Sequence, residues 1–501
     1  MLSSMEQIRS APVAGGLWRA APYGLALLLG LLLARLPLPL AAGALAATAV
    51  FLLLIIQPLV GLGLALLLGP LAAVEGNLPG LGALLGGPLN SGQLLLLLTL
   101  GAWVARGLLC RRLNIPHTFF NAPLLLFMLV TAVTLLGARS IPDGLKELVK
   151  WLEMGLIVLL IADLAGHAPR RALPWLAGAL LLAGFSQALL GIWQFGLRDT
   201  GPAHFAVLGR FYRAYGTFEQ PNPFGGYMNL SALLALGWLA GMATAWLRAR
   251  RLPWDSPLWP AVGALAAAAL ATGLALYFSW SRGAWLGFAA GSAVLLFFWP
   301  RRRGAGVALL LLMGALLLAG LTLDLIPAAA QARLGHFTED LRFGDVRGVP
   351  INDANYAVLE RLAHWQAAFG MAQDNLWLGV GFGNYEAAYP DYALINWPAA
   401  LGHAHNYYIN LLAEVGVLGL LAYLVLWTAV FWQTLRVIDR LDGAERGLAL
   451  GLLACWAALT VHHLVDKLYV NNIYIHLGVM LGVLELLIRR APSGITLSAK
   501  I

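Results

Sequence analysis

The sequence is poor in charge. Only 11% of its 501 residues are Asp, Glu, Lys or Arg, whereas 60% are apolar and the mean hydropathy is +0.77. Soluble globular proteins carry about 25% charged residues, so the composition excludes that class. The chain is therefore expected to be an all-α, polytopic membrane protein, because helices satisfy their own backbone hydrogen bonds in lipid.

Cysteine is almost absent as well. Cys110 and Cys455 lie far apart in apolar surroundings and neither belongs to a CxxC pair, so no disulfide framework or cysteine metal site is predicted. The net charge of +8 does not indicate nucleic acid, because the basic residues form short clusters between apolar runs. That distribution is typical of cytoplasmic loops in a membrane protein.

Long apolar runs are abundant, and a run of roughly 20 residues is enough to cross the hydrocarbon core. Fourteen windows qualify, at 20–36, 39–56, 58–74, 91–109, 120–137, 146–165, 173–196, 222–247, 258–280, 283–299, 304–326, 404–433, 446–465 and 470–488. The first is expected to be an uncleaved span. Pro37, Pro39 and Pro58 interrupt the first three windows, so the predicted number of transmembrane helices is 12 to 14.

The basic clusters predict the orientation of the chain. They occupy every second loop, as in "PRRR" (300–303) and "RVIDRLDGAER" (436–446), so these loops and both termini are expected to be cytoplasmic. The chain then divides into helices 1–11 (1–326), an outward loop (327–403), and helices 12–14 with a cytoplasmic tail (404–501). Within the loop, helical spacing of apolar residues predicts one or two amphipathic helices on the membrane surface.

Three arginines stand where the charge bias does not explain them. Arg210 and Arg213 precede the eighth window, and Arg282 lies at the outer boundary between the ninth and tenth. A guanidinium offers a fork of donors that matches phosphate oxygens. If these side chains converge, they form a clamp for a diphosphate group. The alternative is that they cap helices or pair with acids such as Glu219.

Polar residues also open the twelfth window, in "LGHAHNYYINLLAEVG" (401–416). A helix that starts near His405 turns 100° per residue, so Asn406, Asn410 and Glu414 share one face. We expect His405 to act in catalysis, His403, Asn406 and Asn410 to bind substrate, and Glu414 to have an orienting role. The alternative for either histidine is a hydrogen-bonded interfacial residue.

Other signals have simpler interpretations. "GVGFGN" (379–384) is predicted to be a turn, because it lacks the strand and helix of a nucleotide-binding loop. Lys146, Lys150 and Glu153 lie at helical spacing near the outer end of the sixth window, which suits an ion pair or an auxiliary anion contact. "HHLVDKL" is read as an interfacial loop with a pair formed by Asp466 and Lys467.

Four motifs in order resemble the O-antigen ligase and O-antigen polymerase superfamily. They are "RAYGTFEQPNPFGGY", "SWSRGAWLGF", "LGVGFGNYEAAYPDY" and "HAHNYYINLLAEVGVLGLLAYL". The last is the most specific. The resemblance covers roughly residues 205–425 and does not separate ligases from polymerases.

The resemblance implies a bacterial inner-membrane glycosyltransferase of the GT-C type with a periplasmic active site. Such proteins transfer a glycan from an undecaprenyl-diphosphate carrier to lipid A core or another acceptor, in contact with membrane lipids. The arginines of the family correspond to Arg213 and Arg282, and its histidine to His405, with His403 as the alternative. Arg210 has no clear counterpart.

The expected reaction is an inverting transfer that uses no metal and no other cofactor. Metal-dependent GT-C enzymes resemble one another in placing acidic pairs in outer loops, whereas the first outer loop here, near "RLPLPL", has no carboxylate. A metal-dependent reaction would instead point to Asp391, Glu386 or Asp353. A polymerase of the same superfamily is the first alternative. A lipid-linked saccharide flippase or transporter is disfavoured, because the polar residues collect at one face and no inverted pair of broken spans appears.

Overall fold

The structure is a bundle of apolar helices. This computed structural model describes residues 30–31, 34–75, 90–112, 115–166, 169–249, 258–333, 345–352 and 355–492. The described helices of ten or more residues are α1 (Leu38–Ile56), α2 (Pro58–Leu68), α3 (Ser91–Leu109), α4 (Asn121–Thr134), α5 (Ile141–Leu164), α6 (Pro169–Gly196), α7 (Pro221–Ala249), α8 (Leu258–Phe278), α9 (Arg282–Phe298), α10 (Arg303–Thr322), α11 (Tyr356–Asp374), α12 (Tyr407–Ile438), α13 (Gly443–His462) and α14 (Ile473–Arg490).

Short elements complete the described part of the chain. A two-stranded antiparallel hairpin joins β1 (Ala206–Val207) to β2 (Phe211–Tyr212), with Ala206 opposite Tyr212. Single helical turns lie at Gly69–Leu71, Ala72–Glu75, Leu135–Gly137, Ala203–Phe205, Tyr385–Ala388 and Tyr389–Asp391. The predicted all-α architecture is confirmed.

The predicted apolar windows correspond closely to helices. The window at 20–36 lies largely outside the described residues, and each of the others overlaps a described helix. Eight described helices are long and apolar enough to cross a membrane, and three shorter apolar helices accompany them. The chain is therefore a multi-pass membrane protein. The predicted number of 12 to 14 transmembrane helices is larger than eight because it also includes helices that are shorter or more charged.

Small residues allow the central helices to approach closely. Gly237 and Gly241 on α7 face Gly447 and Gly451 on α13, and a Cβ added at Gly237 would lie 2.3 Å from the Cα of Gly451. Helices in lipid lack a hydrophobic driving force for association, so they rely on close packing of this kind. α9 also packs against α13, and these three helices form a rigid base for the site.

The basic loops meet at one end of the bundle, as their alternation along the chain predicts. The guanidinium of Arg301 lies 2.7 Å from the carboxylate of Asp442, and that of Arg303 lies 3.6 Å from Asp439. The loops 300–303 and 436–446 are therefore neighbours. Arg282 begins α9 and His462 ends α13, so both lie at the opposite end.

The long segment 327–403 contains a helix, α11, as predicted. Ala367, Ala368 and Met371 on its apolar face pack against Tyr385 and Tyr389. Protein side chains thus cover this part of the helix, and its predicted place on the membrane surface stays a prediction.

A break in α12 joins this segment to the bundle. Gly416 has φ +62° and ψ −167°, so the helical hydrogen-bond pattern is interrupted there. The backbone N–H of Val380 donates to the Ala413 carbonyl, and that of Val417 donates to Leu376. The predicted "GVGFGN" turn thus forms hydrogen bonds with backbone groups of α12 that have no partner within the helix.

We expect Gly416→Ala to destabilise the protein. A Cβ at Gly416 would lie 2.3 Å from the carbonyl carbon of Trp377, and the positive φ adds strain. Strain of this kind costs about 1–3 kcal/mol. Thermal unfolding of the detergent-solubilised protein should show a lower Tm. Gly178→Ala in α6, where nothing lies within 4 Å of the added Cβ, is the control, and equal Tm values for the two variants would contradict this account.

Candidate functional site

A small, strongly basic cavity lies at the end of the bundle where α9 begins. Its volume is about 120 Å³. It is lined by four guanidinium groups and one carboxylate, those of Arg213, Arg282, Arg333, Arg361 and Asp466. We call it the arginine cavity. Its excess of positive charge favours an anion over a neutral or cationic ligand.

Arg213 is fixed in place by the surrounding backbone and one amide. It follows β2, and its Nε donates to the Ser279 carbonyl at 2.9 Å while Nη2 donates to the Asn222 amide oxygen at 3.1 Å. Burial lowers the pKa of Arg213, and the charges of the other three arginines lower it further. Both effects disfavour a bare cation here, so an anionic ligand would relieve them.

Arg333 and Arg361 were not selected from the sequence. Arg361 lies on α11, and Arg333 is the last described residue of a helical stretch that begins at residue 328. The Nε atoms of both are buried and have no hydrogen-bond partner among the described residues. Both lie in the segment predicted to face outward, where arginines oppose the usual charge bias, as Arg213 and Arg282 do. No motif marks their positions.

The two histidines lie next to the arginine cavity. The ring centroids of His403 and His405 are 4.6 Å apart. One ligand atom from each of His403, His405 and Asp466 lies within 4.8 Å of the others. Since Asp466 lines the cavity, the structure brings His405 to the same place as Arg213 and Arg282.

His405 is held in an unusual conformation with one ring nitrogen unused. Its φ is +52°, which is uncommon for a residue other than glycine. Its Nε2 is buried and has no partner among the described residues. Burial lowers the pKa of His405 well below its usual value, and the charges of His403 and Arg361 lower it further. The ring is therefore neutral near pH 7 and able to accept a proton.

His403 contacts both His405 and Asp466. Its Nδ1 accepts the backbone N–H of His405 at 3.0 Å, and its Nε2 lies 3.6 Å from Oδ1 of Asp466. Burial lowers the pKa of His403 to about 3, so the ring is neutral. Because Nδ1 accepts a hydrogen bond, the proton of the neutral ring is on Nε2. Burial also raises the pKa of Asp466. His403 thus fixes the backbone of His405 from one side.

The predicted polar stripe on α12 is used largely for backbone contacts. Asn406 is the N-cap, and its amide oxygen accepts the N–H groups of Tyr408 and Ile409. The amide oxygen of Asn410 accepts the N–H of Ala404 at 3.1 Å. These bonds fix the start of the helix just after His405. A substrate-binding role for the two asparagines stays a prediction.

Glu414 is buried one turn deeper on the same helix. Its Oε1 accepts the backbone N–H of Tyr385 at 3.2 Å, and its Oε2 has no partner among the described residues. The contact ties the segment after the "GVGFGN" turn to α12. This geometry fits the orienting role predicted for Glu414.

Arg210 lies outside the arginine cavity. It is exposed, and its guanidinium lies 5.6 Å from the ring centroid of Phe211. The structure therefore does not bring Arg210 together with Arg213 and Arg282, and the cavity gives no support to its predicted role in substrate binding.

The residues that could hold a metal differ from those considered in the sequence. His403, His405 and Asp466 have suitable spacing, but the neighbouring guanidinium groups oppose the binding of a cation. Among the earlier candidates, Asp391 pairs with Arg139 and Glu386 lines a different cleft. Asp353 lies outside the described residues. The expectation of a metal-independent reaction therefore stands as a prediction.

The fold and the cavity define a multi-pass membrane protein with a basic site at one end of its bundle. The family described as O-Antigen ligase matches residues 265–424, and the predicted resemblance to the O-antigen ligase and polymerase superfamily is confirmed by that match. The matched segment contains Arg282, Arg361 and His405, whereas Arg213 and Asp466 lie outside it. No curated protein matches the chain.

We expect Arg361→Ala to weaken binding of inorganic pyrophosphate to the purified protein. A hydrogen bond to a charged group contributes about 1.5–3 kcal/mol, so the Kd should rise roughly 10- to 100-fold, as measured by calorimetry in nanodiscs. Arg347→Ala is the matched control, because Arg347 is exposed and pairs with Asp345. Equal Kd values for both variants and the unmodified protein would contradict an anion site in the arginine cavity.

Proposed function

We propose that this protein transfers a glycan from an undecaprenyl-diphosphate carrier to an acceptor hydroxyl, as an O-antigen ligase that acts on lipid A core. The observation that carries the proposal is the meeting of four arginines at one small cavity, with the neutral His405 next to Asp466 in its lining. The family match supports a ligase-type or polymerase-type function in O-antigen biosynthesis.

The arginine cavity would stabilise the leaving group. As the bond between the anomeric carbon and the diphosphate oxygen breaks, negative charge develops on that oxygen. Fixed guanidinium groups, such as those of Arg213 and Arg282, stabilise this charge without reorganisation. Preorganised donors of this kind contribute about 3–4 kcal/mol each, or roughly 100- to 1,000-fold in rate.

His405 would accept the proton of the acceptor hydroxyl. The hydroxyl oxygen attacks the anomeric carbon, the electron pair of the broken bond goes to the diphosphate, and the proton goes to the ring nitrogen. Asp466, with a carboxylate in the same cluster, would stabilise the imidazolium that results. A single direct displacement inverts the anomeric centre and requires no metal.

The charge distribution supports a periplasmic site in the bacterial inner membrane. The basic loops 300–303 and 436–446 meet at the end of the bundle opposite to Arg282. Under the positive-inside rule, that end is cytoplasmic. The arginine cavity then opens to the periplasm, where the lipid-linked glycan and its acceptor meet, and both termini are cytoplasmic.

Deletion of the gene in its host, followed by gel analysis of envelope glycans, tests the proposal and separates the two members of the superfamily. Loss of capped lipid A while long carrier-linked polymer persists supports a ligase. A deletion strain in which only single repeats remain supports the polymerase alternative. Unchanged glycans in both fractions would contradict either function.

We expect Arg282→Ala and His405→Ala each to lower transfer by at least about 100-fold, because each removes a group that acts in the transition state. The measurement is transfer by the purified variants, with the carrier-linked glycan and the acceptor isolated from the deletion strain. Both variants should remain in the membrane at normal levels. Normal transfer by either variant would overturn its assignment.

A pair of variants distinguishes positioning by His403 from direct substrate binding. His403→Asn keeps an acceptor near the position of Nδ1, which holds His405, whereas His403→Gln places its amide near Nε2. We expect kcat to stay within about twofold in His403→Asn and to fall roughly five- to tenfold in His403→Gln, since one hydrogen bond contributes about 1–1.5 kcal/mol. The KM values should not change. Equal losses in both variants would contradict positioning.

A further inference from the structure

A second and larger cleft lies beside the arginine cavity. Its volume is about 710 Å³, within the range of about 300–1,000 Å³ that is usual for ligand sites. It is lined by seven charged side chains, those of Asp143, Lys146, Glu147, Lys150, Glu386, Glu414 and Lys467. We call it the polar cleft.

The polar cleft and the arginine cavity share a wall. Gly402 lines the cleft and is adjacent to His403 in the chain. Lys467 lines the cleft, whereas its neighbour Asp466 lines the arginine cavity. The two spaces are thus separated by the segments that carry His405 and Asp466.

Charges in the polar cleft nearly cancel, with four carboxyl groups against three ammonium groups, in contrast to those in the arginine cavity. Lys150 and Lys467 both pair with Glu147, at 2.6 and 3.3 Å, and Lys146 pairs with Asp143 at 2.8 Å. The cleft therefore has no excess of positive charge for a second diphosphate. It offers carboxylate acceptors and ammonium donors, which are the partners that hydroxyl groups require.

Two further features suit a sugar. Glu414 lines the cleft, and its Oε2 is buried and has no hydrogen-bond partner among the described residues. Leu145 and Val149 supply an apolar strip in the same lining, on which the C–H face of a sugar ring can pack. A ligand site of this type combines apolar lining with a few placed polar groups.

We propose that the polar cleft binds the acceptor oligosaccharide and presents its attacking hydroxyl at the wall shared with the arginine cavity. This inference rests on the proposed glycan transfer. The donor diphosphate lies in the arginine cavity and the acceptor in the polar cleft, and their reacting atoms meet beside His405. There the acceptor oxygen bonds to the anomeric carbon while the bond from that carbon to the diphosphate oxygen breaks. The electron pair of the broken bond leaves with the diphosphate, and the hydroxyl proton passes to His405.

The test is a matched pair of tryptophan variants on α5. Leu145 lines the cleft and is 50% exposed, whereas Leu152 is 45% exposed and does not line it. Leu145→Trp should partly fill the cleft and raise the KM for the acceptor at least about tenfold. Leu152→Trp should leave that KM within twofold. Transfer is measured with purified protein in nanodiscs at a fixed concentration of carrier-linked glycan.

A binding measurement shows whether the donor side stays intact. The Kd for undecaprenyl diphosphate should be the same in both variants and in the unmodified protein. A weaker Kd in Leu145→Trp, or an unchanged KM for the acceptor, overturns the acceptor site. So does a KM that responds only to the phosphatidylglycerol content of the nanodisc, which assigns the cleft to a lipid head group.

A conservative pair of variants tests the polar contacts. Glu386→Gln removes a carboxylate of the cleft and should raise the KM for the acceptor about three- to tenfold. Asp374→Asn keeps an acceptor for the Tyr392 hydroxyl outside the cleft and should have no effect. If the unmodified protein transfers no glycan at all, the proposed function itself fails, whereas active protein with insensitive Leu145→Trp and Glu386→Gln rejects the acceptor site alone.

Discussion

The repulsion among four guanidinium groups is the constraint on which the site depends. Two unit charges 6 Å apart repel by roughly 3 kcal/mol at an effective dielectric constant of 20, and the arginine cavity holds four such charges against one carboxylate. The fold opposes this repulsion by anchoring. Arg213 is bonded to Ser279 and Asn222, and Arg282 begins a helix that packs on the rigid glycine contact of α7 and α13. An anion in the cavity would remove most of the remaining cost.

Burial is the first cause of the neutral state of the histidines, and positive charge adds to it. Burial, His403 and the nearby Arg361 lower the pKa of His405, so its imidazole is neutral. A diphosphate in the cavity would act in the opposite direction and raise this pKa, because an anion stabilises the imidazolium. In the proposed transfer, the donor that carries the sugar would thus also strengthen the base.

Much of the fold follows from local patterns, but the site depends on tertiary contacts. Apolar runs predict the spans because hydropathy is a property of each segment. The charge bias identified Arg213 and Arg282, since an outward arginine is unusual wherever it occurs. Arg361 and Asp466 could be assigned only when α11 and the loop after α13 were seen to meet. No periodicity indicates the break at Gly416, because the backbone groups that form hydrogen bonds there belong to the segment that precedes α12 in the chain.

The shared wall explains why a buried ion pair lies next to a strongly basic site. Asp466 and Lys467 are consecutive, yet Asp466 lines the arginine cavity and Lys467 pairs with Glu147 in the polar cleft. Asp466 therefore offsets the positive charge of the arginine cavity, and Lys467 offsets the negative charge of Glu147 in the polar cleft. Without Lys467, the buried Glu147 would have only Lys150 as a partner, and without Asp466 the four arginines would have no carboxylate in their lining. Two adjacent residues of opposite charge thus allow a cationic and a nearly neutral space to lie side by side, as the proposed reaction between an anionic donor and a hydroxyl acceptor would require.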